Sequence, residues 1–149
     1  MSSSQQFCTF LVDGEMFGTP VARVQEVIQQ HEMTPVPHAP DVVAGMMNLR
    51  GQIVCAIDLR RRLQLPDRAA DQMPMGVVVR TNQGTVSLLV DEIGDVIEVK
   101  DQARERAPET LQGLAREVIE GVYKLPDRLL LALDVNRVAE VGERSKPEA

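Results

Sequence analysis

The sequence predicts a mainly β protein built as two packed sheets or two small barrels, and three observations carry that prediction. Valine occurs 20 times among 149 residues, concentrated in short apolar runs of the kind β-branched side chains form in strands. Gly, Pro, Asn and Asp interrupt those runs where tight turns need a fixed or positive φ. Four hairpins follow from this alternation, and one flat sheet carrying all of them would leave half of its Val and Leu in water. A chain of this length buries roughly two thirds of its unfolded surface, so its core needs no disulfide framework or structural metal.

Residues 7–12 and 15–18 form the first hairpin, because Asp13-Gly14 supplies the two positive φ values of a type I′ turn. Thr19-Pro20 reads as a helix cap and first position, with Val21, Val24 and Ile28 at helical spacing, while Val27-Ile28 fits a strand equally well. A short helix passing into a strand is expected there, followed by a Pro-rich connector at 34–40. Residues 45–50 and 53–57 make the second hairpin around Gly51-Gln52, read as a type II′ turn. Residues 77–80 and 86–90 flank the polar loop 81–84, the third hairpin. Residues 118–125 and 129–133 flank Pro126-Asp127, the fourth. The segments 59–63 and 135–138 each follow an aspartate, Asp58 and Asp134, and read as short helices capped by it. Residues 66–74 and 100–113 read as loops, the second with a helical turn, and no repeat of fixed period is visible. A single domain at 6–141 is expected between disordered tails at 1–5 and 142–149.

A net charge of −6 and only four aromatic residues oppose nucleic acid as a ligand, since phosphate recognition rests on clustered Lys and Arg with stacking rings. No apolar run approaches the ~20 residues of a membrane-spanning helix, and the first residues lack a secretion signal, so a cytoplasmic protein without direct membrane insertion is expected. Cys8 and Cys55 lie in apolar stretches and read as buried free thiols. His31 and His38 have no Cys-x-x-Cys or further His at ligand spacing, and read as solvated loop residues. Ser87 lacks a nucleophile-elbow context and reads as part of a strand face; no Gly-rich phosphate loop occurs. Asp91, Glu92, Asp95 and Glu98 read as solvated edge charge, and Arg60-Arg61-Arg62 as a complement to a helix dipole. No catalytic residue, cofactor or metal site is assigned, and no enzyme is expected.

Surface for partners remains. In Asn48-Leu49-Arg50-Gly51, Arg50 is either an ordinary turn arginine or a five-donor fork for another protein's carboxylates and carbonyls. Val24-Gln25-Glu26-Val27 reads either as the rim of an interface or as packing.

At these residues the chain resembles the CheW-like chemotaxis coupling proteins. Residues 7–28 resemble the family's opening hairpin and its Val-Gln-Glu segment. The stretch Asn48-Leu49-Arg50-Gly51 with Asp58-Leu59-Arg60 resembles its central signature. Residues 86–97 and 119–134 are similar to its third and fourth blocks. Cys55-Ala56 stand where the family usually has a proline, which leaves the bend of that strand open. The resemblance implies two five-stranded SH3-like β-barrels sharing one hydrophobic junction, with a few short helices. It implies a non-catalytic adaptor joining the cytoplasmic tip of methyl-accepting chemoreceptors to the regulatory domain of a CheA-type histidine kinase. By position it places Val24, Glu26, Gly45, Asn48, Arg50 and Val96 on or near the receptor-facing or kinase-facing surfaces. An adaptor of a chemosensory-like system for pili, biofilm or a second messenger shares the fold, and a small barrel that binds a ligand or peptide is the reading from a different class.

Overall fold

A computed structural model describes residues 4–29, 33–100, 104–105 and 114–140. In chain order it runs β1 (Ser4–Val12), β2 (Glu15–Pro20), a 3₁₀ turn (Val21–Arg23), β3 (Val24–Ile28), β4 (Val43–Leu49), β5 (Gln52–Asp58), α1 (Leu59–Arg62), β6 (Met75–Thr81) and β7 (Gly84–Val90). It continues with β8 (Glu92–Lys100), β9 (Arg104–Glu105), α2 (Leu114–Val118), β10 (Ile119–Lys124), β11 (Leu129–Leu133) and α3 (Val135–Val138). All four expected hairpins are present. The second differs in its turn: Arg50 and Gly51 carry φ of 56° and 87°, so the central pair is Arg50-Gly51 in type I′ form. The helix expected after Thr19-Pro20 is a single 3₁₀ turn with Pro20, not Thr19, at its N-cap and no side-chain cap hydrogen bond, because β3 must begin at Val24 to pair with β6.

Two of the expected loop and tail boundaries shift. Ser4 and Gln5, placed in a tail from sequence, pair with Lys100 and Val99 of β8. Arg104-Glu105, placed in a loop, pairs with β10 as a two-residue strand. His31, residues 101–103 and 106–113, and the tail 142–149 lie outside the described residues.

The strands form a six-stranded sheet in the order β8-β1-β2-β11-β10-β9 and a five-stranded sheet in the order β3-β6-β7-β5-β4. Each joins two antiparallel hairpins through one parallel pair, β2 with β11 and β5 with β7. The five-stranded sheet curls until the connector after β3 meets β4, with Thr34 N donating to Met46 O at 2.7 Å and Met46 N to Thr34 O at 2.8 Å. The registers also show an internal duplication that a fixed-period search misses. Phe10 pairs with Phe17 and Ile93 as Val79 pairs with Val86 and Val24, an offset of 69 residues. Gly45 pairs with Ala56 as Gly121 pairs with Ala132, an offset of 76. The two hairpins that open each half, β1–β2 and β6–β7, sit in the sheet of the opposite half, so the halves interlock.

The core follows this plan. Met47, Leu49, Val54, Ala56, Val78 and Leu89 fill one barrel. Phe7, Val99, Tyr123, Leu130 and Ala132 fill the other, with the Phe7 and Tyr123 ring centroids 5.3 Å apart. Between them a larger shared cluster includes Phe10, Phe17 and Leu131 from one sheet and Ile57, Val79 and Leu88 from the other. Alternation decides the partition: successive residues of a strand face opposite sides, so Val77 and Val79 enter the junction while Val78 enters a barrel.

Asp58 and Asp134 cap α1 and α3 as expected, accepting from Arg60 N at 3.0 Å and Asn136 N at 3.1 Å. The arginines of α1 do something else than complement a dipole. Arg62 is buried and donates to the carbonyls of Val138 and Arg137, tying α1 to the end of α3. Arg60 makes a two-pronged contact with Asp91, Nε to Oδ1 at 3.0 Å and Nη2 to Oδ2 at 2.6 Å. Asp91, expected at a solvated edge, has only 7% of its side chain exposed and also receives Arg68 Nε at 3.0 Å and the Asp13 backbone N–H at 2.8 Å. Burial alone would raise its pKa, but these donors overcome it and hold the carboxyl at about 2, below its ordinary 3.8. Cys8 and Cys55 are free and half-buried, and burial pushes both thiols up.

Candidate functional site

The tip of the β4–β5 hairpin gathers three of the residues singled out from sequence. Arg50 extends into solvent with 77% of its side chain exposed, and its Nη1 donates to Glu26 Oε2 at 2.7 Å. Glu26 is nearly covered, with 17% of its side chain exposed. It sits on β3, the strand that lies across the barrel's closure from β4. Asn48 accepts, through Oδ1, a hydrogen bond from Gly51 N at 2.8 Å. The ion pair is worth at most about 1 kcal/mol of stability because one partner is open to water. Its effect is geometric: it orients a guanidinium whose other donors face outward.

Apolar surface accompanies this charge. Ile53 is 59% exposed, one residue into β5, and Val27 on β3 is 42% exposed. Ile53 was not singled out from sequence, since it sits in a run that reads as ordinary strand, whereas Val27 belongs to the Val24-Gln25-Glu26-Val27 segment read as interface rim or packing. The signal available was positional: Ile53 follows exposed Gln52 and precedes the core residue Val54, one residue too early in the strand to reach the interior.

The remaining residues assigned by resemblance are distributed differently. Val24 is half-buried and packs on the shared junction core. Gly45 is buried, and a Cβ there would stand 2.9 Å from Thr34 O and 3.2 Å from Met33 Cβ. It therefore permits the close approach that seals the barrel. Val96, 57% exposed, lies on β8 in the other sheet. There it answers Val27 by the 69-residue offset, with Val27 opposite Val77 and Val96 opposite Cys8.

Among the described residues, no three His, Cys, Asp or Glu side chains converge to hold a metal ion. His38 is an exposed turn residue at φ 63°. Ser87 is fully buried in β7 with its hydroxyl unpartnered. Among the described residues, no helix is long and apolar enough to cross a membrane. What the tip offers is an oriented charge beside exposed apolar side chains, the pairing used where one protein surface binds another.

A family model for the CheW-like domain matches residues 6–143. The chain is 31% identical over 139 residues to the chemotaxis protein CheW of Klebsiella aerogenes, covering 93% of this chain and 84% of that protein. It is 31% identical over 140 residues to CheW of Bacillus subtilis, covering 94% and 90%. The crystal structure of scaffolding protein TtCheW from Thermoanaerobacter tengcongensis matches with a TM-score of 0.84 at 24% identity, over 93% of this chain and 94% of that one, a likeness of fold. Because the family model spans nearly the whole chain, and the two sheets match the expected pair of barrels apart from a sixth short strand in one of them, the chain belongs to the CheW-like domain family.

Proposed function

We propose that this protein is a non-catalytic chemotaxis adaptor that couples the cytoplasmic tip of methyl-accepting chemoreceptors to the regulatory domain of a CheA-type histidine kinase. It acts in the cytoplasm, at membrane-associated receptor arrays. The observation that carries the reading is the β4–β5 tip: an exposed Arg50 held by Glu26, with exposed Ile53 one residue into β5 and exposed Val27 the residue after Glu26 on β3. Its relatives, named chemotaxis protein CheW, support the same role. A receptor helix presents an apolar stripe flanked by charge, which fits a surface of this chemistry. Asn48 belongs to the same tip; Val96 marks a second face on the other barrel, while Val24 and Gly45 support the surface from beneath.

Contacts of this size are individually weak. A micromolar pair is worth about 8 kcal/mol, and repetition of the contact in an array makes later contacts effectively intramolecular, so the assembly persists. Control of the kinase follows from shared contacts.

Titration of the protein with a receptor-tip fragment and, separately, with the kinase regulatory domain tests the proposal. Arg50→Ala should weaken receptor binding by roughly 2 kcal/mol, some thirtyfold, with nearly unchanged melting. Equal binding by both forms would remove Arg50 from the contact, and absence of binding to either partner would defeat the adaptor reading.

A further inference from the structure

We propose that Asn48 is a positioning residue: its side-chain carbonyl holds the turn that keeps Arg50 in the left-handed conformation, and it acts on the partner only through Arg50. The proposal rests on the reading that Arg50 meets a receptor. Arg50 has φ 56°, a region that non-glycine residues visit at a cost. Closing the hairpin does not require that cost. The β10–β11 connection has the same length and lies 76 residues on. It is closed by Leu125 N donating to Arg128 O at 2.9 Å, with no positive φ at residues 124–129. There Pro126 stands at the place of Arg50, and its ring forbids a positive φ. Lys124 stands at the place of Asn48 and has no acceptor to offer. Of these two, only the β4–β5 hairpin combines an acceptor, a glycine and a strained arginine. The acceptor is spent inside the turn, since Asn48 Oδ1 takes the Gly51 N–H at 2.8 Å although the residue is exposed. The αL backbone and the Glu26 carboxylate, at 2.7 Å from Nη1, then fix the guanidinium from two sides.

Two measurements on the full chain separate this role from a direct contact. Amide exchange read by NMR should accelerate at Gly51 in Asn48→Ala and stay near the parent rate in Asn48→Asp, which keeps an oxygen acceptor in place. Affinity for a receptor-tip fragment should fall about fivefold in Asn48→Ala, recover to within about twofold in Asn48→Asp, and be unaffected by Asn48→Ala when Arg50 is already Ala. Unaltered Gly51 exchange in Asn48→Ala would overturn the proposal. So would an equal loss of affinity with and without Arg50, which would make Asn48 a contact. Should Arg50→Ala itself leave receptor binding unaltered, the docking reading fails and the partner-directed part of this proposal fails with it, whereas Gly51 exchange reports on the turn alone.

Discussion

Arg50 carries a backbone cost and a binding benefit, and they can be separated by substitution. Its αL backbone is strained by on the order of 1 kcal/mol, and its ion pair with Glu26 returns little because it is exposed. Glycine adopts the same φ freely. Arg50→Gly should therefore leave stability equal or raise it by up to ~1 kcal/mol in chemical denaturation while receptor binding is lost. A clear drop in stability would show that the guanidinium supports the fold. Gly45 behaves in the opposite way. Its missing Cβ leaves room for the backbone of Thr34, which cannot swing aside as a side chain can. Gly45→Ala should cost about 1–3 kcal/mol by the strain of overpacking, seen as a lowered melting temperature with loss of protection at the Thr34 and Met46 amides.

At the scale of elements, one buried carboxylate holds three segments together. Asp91 precedes β8 and gathers Arg60 from α1, Arg68 from the following loop and the backbone of the β1–β2 turn. Asp91→Asn would leave two largely buried guanidinium groups without their main counter-charge, a loss of about 3–5 kcal/mol measured by urea unfolding. The same group sets an acid limit. Its folded pKa of about 2 lies below the ordinary 3.8, so its contribution is complete above the ordinary value and is lost as pH falls toward 2. That contribution is on the order of 2 kcal/mol. Stability measured from pH 6 down to 2 should decline steeply below about 4, and Asp91→Asn should flatten the decline.

The whole molecule is two interlocked halves. Because β1–β2 completes the sheet of β10–β11 and β6–β7 completes the sheet of β4–β5, neither half of the sequence contains a closed barrel. A chain cut within residues 66–74, where no helix or strand runs, should give two pieces that lack cooperative unfolding alone and regain it when mixed, followed by circular dichroism. Cooperative melting of residues 1–65 by themselves would contradict the interlocking. The interlock also places a related exposed valine on each barrel, Val27 and Val96, from duplicated strands.

The strands of all four hairpins and both Asp-capped helices were legible in the amino-acid order, whereas β8 and β9 were not. Each of the legible elements depends on contacts between residues close in the chain, or on which residue types are present at all. Tertiary structure decided which hairpin joins which sheet, that Asp91 is buried among arginines, that Gly45 lies under the surface, and that Glu26 reaches across the barrel seam to Arg50. Those outcomes depend on pairings between residues tens of positions apart, and a local pattern of apolar and polar side chains carries no information about which distant strand will supply its neighbour.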